Sequence, residues 1–316
     1  MAQFRKDLPQ LAGGFFITDG GLETTLIFLE GVELPHFAAF DLFKHQDGEA
    51  ALRKYYRAYT GLAQRFGIGL ILESATWRAS ADWGAKLGYG AKEMADVNRQ
   101  SIALLEEMRN QFPDDANKVV ISGCIGPRGD GYKSVNPMSE KEAESYHQKQ
   151  IQTFEDTAAD MVTALTMNYA EEAVGIARAA ENADMPVVIS FTVETDGRLP
   201  SGQSLRAAIE QVDSATSLYP SYYMVNCAHP THFENILAEG EPWTERVRGL
   251  RANSSRKSHE ELDESSDLDI GDPLELGKQY AQLKRRLPQL NVMGGCCGTD
   301  DRHLEQIAAA CSPLFR

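Results

Sequence analysis

Three cysteines carry the strongest chemical signal in this sequence. Cys296 and Cys297 are adjacent and lie between glycines in VMGGCCGTD (292–300), and Cys227 ends the stretch MVNC (224–227). A regular strand would send adjacent side chains to opposite faces, but the flanking glycines allow a backbone that turns both thiols toward one point. Such thiols serve in core packing, in redox chemistry or in metal binding.

The elements that must position these thiols alternate between short β-rich runs and longer amphipathic stretches. Strands are predicted at 15–19, 68–74, 118–124, 160–166, 186–192, 222–227, 246–252 and 290–295. Most are continuous Val/Ile/Leu runs, which are typical of parallel strands buried on both faces. Helices are predicted at 48–66, 91–111, 139–157, 170–183, 203–218, 231–239 and 273–287.

Eight strands separated by helices predict an α/β fold, the (β/α)8 TIM barrel, with an open doubly wound sheet as the main competitor. One domain over 1–316 is expected, because barrels reach this size and no Gly/Ser/Pro-rich linker divides the chain. The carboxyl ends of all barrel strands meet at one mouth. Cys227, after strand six, is therefore expected to lie near Cys296 and Cys297, after strand eight.

Three thiols at one barrel mouth match the needs of a catalytic zinc ion. Zinc binds thiolates tetrahedrally, and catalytic sites keep three protein ligands and one open position. A redox pair is the alternative, but no resolving partner has a recognisable spacing. The other thiols, Cys124 and Cys311, are expected to be small buried apolar residues.

Two histidines follow Cys227 in the stretch CAHPTH (227–232). His229 and His232 are alternative zinc ligands, since imidazole also suits this metal. Their position beyond the strand end favours surface or supporting roles.

Charge and composition narrow the partners. Acidic residues outnumber basic ones by 46 to 31, a net charge of −15, so neither nucleic acid nor an anionic membrane surface is an expected partner. No apolar run approaches the roughly 18 residues of a membrane span, and five cysteines without disulfide-framework spacing fit a cytoplasmic location.

One segment, SSRKSHEELDESSDLDIGD (254–272), is basic at its start and then strongly acidic. We interpret this segment as an insertion in a long loop after strand seven that presents a solvated helix face. A lid or a subunit contact is the alternative, since loops of this kind form the active-site face of a barrel. A homo-oligomer is left open.

Five motifs together resemble the homocysteine S-methyltransferase family, which includes zinc-dependent users of betaine, S-methylmethionine and S-adenosylmethionine. They are DGGLETTL (19–26), SGCIGPRGDGY (122–132), SFT (190–192), NC (226–227) and GGCCGT (294–299), and they span nearly the whole chain. The resemblance implies that Cys227, Cys296 and Cys297 bind Zn²⁺ and leave one position for a substrate thiol. They would act catalytically by activating that thiol through the metal.

The resemblance also implies how the substrates bind. Asp19 would pair with the ammonium of homocysteine, and Gly20 and Gly21 would bring backbone N–H groups to its anionic end. A simple turn after a strand would favour the same three residues. Thr166 and Asn226, near the ends of strands four and six, are further candidates for substrate binding.

A methyl donor of this chemistry is an onium compound, because it departs as a neutral molecule without a general acid. Aromatic faces bind such cations. Trp77 matches a position at which relatives carry an aromatic residue near the donor, and Trp83 and Tyr89 would complete a cage. Packing at the mouth is the alternative role for Trp77.

Two departures from the family pattern fall on the acceptor side of the site. After strand four, Leu165 stands where relatives carry the acid that binds the homocysteine amino group, and leucine accepts no hydrogen bond. After strand seven, RANSSRKSHEELDE (251–264) replaces the usual Y-P-N-x-G, with Asn253 as the main remnant. Glu73, at the end of strand two, is a candidate to take over the missing role.

Three functions follow from these observations. The first is a zinc-dependent methyltransferase that moves a methyl group from a small onium donor to a thiol, with homocysteine as the leading acceptor and methionine as product. The second is a related enzyme that methylates another thiol or a selenol, or that demethylates an onium compound. The third is a non-catalytic zinc- or thiol-binding protein.

Overall fold

Eight parallel strands close into a barrel in chain order, and β8 pairs with β1. The computed structural model describes residues 1–112, 118–237 and 240–315. Strands β1 to β8 are Phe16–Ile17, Gly69–Glu73, Val119–Ile125, Met161–Met167, Val187–Phe191, Tyr222–Asn226, Val247–Ala252 and Val292–Gly295. Each lies at a predicted position, so the (β/α)8 fold is confirmed and the open sheet is excluded.

The helices surround the barrel. Helices α1 to α11 are Leu22–Thr24, Gln46–Phe66, Ala81–Lys86, Ala91–Arg109, Glu140–Glu155, Ala170–Asn182, Leu205–Ala215, Pro230–Phe233, His259–Asp263, Pro273–Arg286 and Asp301–Cys311. Their apolar faces and the outward side chains of the strands form the main core. No helix in the described ranges has the length and apolar character needed to cross a membrane.

Side chains inside the barrel change from apolar to polar along the strands. The apolar layers are formed by Phe16, Ile71, Val120, Met161, Val188, Tyr222, Met224 and Val292. Two residues further along each strand the side chain returns to the same face. At those positions stand the buried polar residues Glu73, Ser122, Thr163, Ser190 and Asn226. The carboxyl end of the barrel interior is thus mainly polar, with Cys124 and Leu165 as apolar side chains among the polar ones.

The predicted helix at 231–239 is wrong in extent. Regular helix ends at Phe233, and residues 238–239 lie outside the described residues. The carbonyl oxygens of Glu234 and Leu237 accept hydrogen bonds from Arg286 Nη2. Helices α1, α3 and α11 were not predicted, although α11 has a clear start signal because the Asp300 side chain caps Arg302 N. Helix α9 lies in the 254–272 segment, for which a solvated helix face was expected.

Candidate active site at the barrel mouth

The structure brings together the three cysteines singled out in the sequence. The Sγ atoms of Cys227, Cys296 and Cys297 all lie within 4.8 Å of one another. Zinc–sulfur bonds of about 2.3 Å in a tetrahedral site place sulfurs about 3.8 Å apart. The donor set and its spacing therefore fit one zinc ion after small side-chain movements.

Two of these thiols are joined in the structure. Cys227 and Cys296 form a disulfide with a Cα–Cα distance of 5.4 Å, and Cys297 is a free thiol. Burial raises the pKa of Cys297, although a hydrogen bond with Tyr132 counteracts it. Because the metal binds thiolates, occupation of this site requires the reduced form of the pair.

Asn226, Thr166 and Ser190 form a hydrogen-bonded cluster, here called the clasp, which joins β4, β5 and β6 beside the sulfurs. Asn226 Oδ1 accepts from Thr166 N at 2.9 Å and from Ser190 Oγ at 2.7 Å, and Asn226 Nδ2 donates to Thr166 Oγ1 at 2.8 Å. Both Thr166 (φ 65°) and Cys227 (φ 53°) adopt left-handed backbone. Such a conformation is uncommon for these residue types and is characteristic of functional sites.

The same clasp also supplies donors to the sulfurs. Thr166 Oγ1 lies 3.9 Å from Cys227 Sγ, and Asn226 Nδ2 lies 3.9 Å from Cys296 Sγ. Hydrogen bonds to a thiolate favour its charged form. Thr166 and Asn226, predicted to bind substrate, are thus placed against the thiols themselves.

The turn after β1 packs directly on the turn that carries the adjacent cysteines. Gly21 N donates to Thr299 O at 3.0 Å, and a Cβ at Gly21 would collide with Thr24 Oγ1 and with the carbonyl of Cys296. Glycine is needed here because of this close approach. The N–H of Gly21, expected to contact an anionic substrate group, is bonded within the protein.

Asp19 has a resident cation beside it. Asp19 Oδ1 lies 2.7 Å from Arg251 Nη2, and Tyr55 Oη donates to Asp19 Oδ2 at 3.0 Å. The side chains of Asp19 and Arg251 are each 5% exposed. Arg251 also donates from Nε to Gly295 O at 3.1 Å and from Nη2 to Gly20 O at 3.2 Å. The guanidinium therefore joins the turns after β1 and β8.

Glu73 lies in the same buried layer. Its Oε2 has no hydrogen-bond partner within the described residues. Burial raises the pKa of Glu73 to about 7, although Arg251 opposes the rise. The carboxyl group is consequently divided between its neutral and charged forms near neutral pH.

Trp77 lies over the end of β4. Its Nε1 donates to Leu165 O at 3.3 Å, and its ring packs beside the apolar interior that includes Leu165. The guanidinium of Arg78 lies 4.0 Å from the ring centroid of Trp77 and 3.8 Å from that of Trp83. A cation of the protein thus already occupies one face of each ring. Tyr89 contacts Lys44 and Asp41 instead of joining them.

Tyr132, from the segment after β3, and His259, the first residue of α9, contact the cysteines. Tyr132 Oη lies 3.5 Å from Cys297 Sγ, and the Tyr132 ring stacks on His259 at a centroid distance of 4.0 Å. His259 Nε2 lies 2.7 Å from Cys227 O, and its Nδ1 lies 3.0 Å from Glu194 Oε1. The 254–272 segment therefore reaches the site through His259, while Glu260 and other acids of α9 face solvent.

The two histidines considered as alternative zinc ligands, His229 and His232, lie outside the thiol cluster. His229 Nδ1 lies 2.8 Å from Thr231 Oγ1, and His232 Nε2 lies 3.0 Å from Arg256 O. Burial lowers the pKa of His229 to about 4. The metal-competent group within the described residues consists of the three cysteines alone.

Three residues that lie at this site were not identified from the sequence. Arg251 stood inside a predicted strand, Tyr132 inside a glycine-rich loop motif, and His259 inside the acidic segment. Strand alternation gives one signal: Leu250 packs in the outer core, so its neighbour Arg251 faces the barrel interior.

Fold and site together define a (β/α)8 barrel protein whose mouth carries a metal-competent group of three thiols. The sequence profile of the homocysteine S-methyltransferase family matches residues 16–311, and the chain belongs to that family. It is a methyltransferase that acts on a thiol.

Named relatives cover nearly the full chain at low identity. Homocysteine S-methyltransferase 1 of Arabidopsis thaliana is 22% identical over 96% of this chain and 95% of its own. Selenocysteine Se-methyltransferase of Brassica oleracea var. italica is 22% identical over 93% of this chain and 88% of its own. The oxidized form of the Escherichia coli homocysteine methyltransferase MmuM has a similar fold, with a TM-score of 0.77, 18% identity and coverage of 97% and 99%.

Proposed function

We propose that this protein catalyses zinc-dependent transfer of a methyl group from an onium donor to a small thiol. The observation that carries the proposal is the convergence of three cysteine sulfurs within 4.8 Å at the barrel mouth. Cys227, Cys296 and Cys297 would hold the ion. When bound, zinc supplies deprotonation of the acceptor thiol and keeps its sulfur nucleophilic at neutral pH.

The reaction balances without an acid catalyst. The acceptor thiol loses its proton to solvent, and its sulfur forms a bond to the methyl carbon. The bond from that carbon to the donor sulfur or nitrogen breaks, and its electron pair leaves with the neutral donor product. The protein's part is therefore to align two small molecules and to exclude competing water.

Individual residues support that alignment. Asn226 and Thr166 fix the strand ends that carry the thiols and donate toward two sulfurs. Trp77 is proposed to face the onium donor with the part of its ring that Arg78 does not cover. Asp19, Gly20, Gly21 and Glu73 line the acceptor side.

A panel assay tests the proposal. Reduced, zinc-loaded protein is incubated with S-methylmethionine, S-adenosylmethionine or betaine and with homocysteine, a selenol or other thiols, and the methylated product is quantified. Transfer should occur with at least one pair and disappear in Cys296→Ser. Cys311→Ala is the matched control, because Cys311 is buried in α11 and should leave transfer unchanged. Absence of transfer with every pair would contradict the proposal.

A second acceptor class is favoured by one specific observation. Leu165 and the Asp19–Arg251 ion pair stand where an acceptor ammonium would need free carboxylates. Homocysteine is the first acceptor to test, because it appears in the names of two compared proteins. A different thiol or a selenol is the alternative that this part of the site supports.

A further inference from the structure

The acceptor has two ends, and the three sulfurs fix only one of them. Its sulfur belongs beside Cys227, Cys296 and Cys297, so the rest of the molecule lies among the adjoining strand ends. Those strand ends contribute Asp19 from β1 and Arg251 from β7. Their charges decide which acceptor fits.

These strand ends offer no free carboxylate that would bind an ammonium group. Asp19 Oδ1 accepts no hydrogen bond within the described residues, but the Arg251 guanidinium lies 2.7 Å from it, so the carboxylate charge is already paired and a second cation would have to displace or face Arg251. Like charges in a buried site repel strongly because the surroundings screen them poorly. Leu165 is 7% exposed and apolar, so β4 offers no carboxylate at that position.

Arg251 offers a hydrogen-bond donor that could bind an anionic group. Arg251 Nη1 is buried and has no hydrogen-bond partner in the described part of the chain. Nε and Nη2 face Gly295 and Gly20 on the β8–β1 side. The guanidinium is a planar fork, so Nη1 lies on the side opposite the one that Nε and Nη2 present to the carbonyls of these two glycines. Burial disfavours its charge, but Asp19 and Glu73 outweigh burial and raise the pKa of Arg251.

Glu73 is a second buried polar residue with an unpartnered atom in this layer. Its buried Oε2 is also unpartnered, and as the neutral acid it donates a hydrogen bond to a carboxylate oxygen. A carboxylate between Arg251 Nη1 and neutral Glu73 would satisfy both groups. Buried polar groups are otherwise costly to leave unpaired.

We propose that Arg251 is a specificity-determining residue and that the preferred acceptor is a short mercaptocarboxylate, bound through its carboxylate and without need of an α-ammonium. This inference rests on the proposed thiol methylation. The chemistry is unchanged: the acceptor sulfur gains the methyl group, its proton goes to solvent, and the onium donor leaves as a neutral molecule.

Three matched thiols test the preference: homocysteine, 4-mercaptobutyrate, which lacks the ammonium, and 3-aminopropane-1-thiol, which lacks the carboxylate. The kcat/KM for 4-mercaptobutyrate should equal or exceed that for homocysteine and should exceed that for the amine by roughly 10- to 100-fold, the range of a charge-assisted hydrogen bond. The inference is overturned if homocysteine is preferred tenfold or more, or if the amine is used as well as 4-mercaptobutyrate.

Variants separate recognition from folding. Asp19→Asn combined with Arg251→Met leaves no lone buried charge of that pair and should raise the KM for 4-mercaptobutyrate by roughly 10- to 100-fold with metal content unchanged. Leu165→Glu should shift the preference toward homocysteine, because it restores an acid near the acceptor. An unchanged ratio of the two acceptors in both variants counts against the inference.

A binding measurement keeps this inference distinct from the proposed function. Calorimetric titration with 4-(methylsulfanyl)butanoate, the thioether product, reports recognition of the carboxylate without any transfer. Binding that weakens in the Asp19→Asn/Arg251→Met variant supports the role of Arg251 even if no donor is found. Transfer to homocysteine with no binding of this product would retain the function and overturn the inference.

Discussion

Replacing Glu73 by glutamine should change how stability depends on pH. Glu73 is 4% exposed, and burial raises its pKa from 4.5 to about 7. The unfolded chain ionises this group near pH 4.5, whereas the folded chain keeps the proton until about pH 7. Its stabilisation is therefore fully present below pH 4.5 and is lost as the pH rises through 7. One pKa unit is about 1.4 kcal/mol, so the loss is about 3 kcal/mol.

Urea unfolding of the reduced, metal-free wild type and of Glu73→Gln from pH 4.5 to 8.5 measures this loss. Other titrating groups nearby, including Asp19, Cys124 and Arg251, are present in both proteins and cancel to first order in the difference. The wild type should lose about 3 kcal/mol relative to the variant over this range. If the unfolding free energies of the two proteins depended on pH in the same way, the burial-driven rise in the pKa of Glu73 would be refuted.

Two further substitutions test the support of the thiols. Asn226→Ala should lower the free energy of unfolding by about 3 kcal/mol, because it removes three hydrogen bonds and leaves buried partners unpaired. Urea denaturation measures this change, and a loss below about 0.5 kcal/mol would contradict the stabilising role of the clasp. Tyr132→Phe removes the hydroxyl 3.5 Å from Cys297 Sγ and should weaken zinc binding about tenfold in competition with a chromophoric chelator. Unchanged zinc affinity would show that this contact does not support the metal site.

The sequence was sufficient to predict the barrel because the fold depends on a repeated local pattern. Each buried parallel strand is a continuous apolar run, and chain order alone brings the ends of β6 and β8 to one mouth. Cys227, Cys296 and Cys297 could therefore be grouped before any geometry was known. Adjacent glycines explained how two neighbouring thiols face the same point.

The acceptor side could not be predicted because it depends on pairings between distant strands. The contact of Arg251 with Asp19 joins residues near opposite ends of the chain, and only the closed register of β7, β8 and β1 shows it. The contact of His259 with the Cys227 carbonyl likewise depends on how the 254–272 segment folds back. The acidic composition of this segment correctly indicated that the residues next to His259 are exposed to solvent, but it did not indicate that His259 itself is buried.

The aromatic residues illustrate a similar limit. Trp77 was predicted from the family resemblance to face the donor, with Trp83 and Tyr89 completing a cage. The residue that lies against both tryptophan rings is instead Arg78, a cation of the protein itself. Which ring faces stay open to a ligand is a matter of packing that spacing does not record. The donor-binding role of Trp77 stays a prediction.

Metal analysis of the purified, reduced protein tests the central claim most directly. We expect about one zinc ion per chain, lost in Cys296→Ser and retained in Cys311→Ala, because only the former removes one of the three converging sulfurs. Retention of zinc in Cys296→Ser, or absence of stoichiometric metal in the reduced wild type, would contradict it.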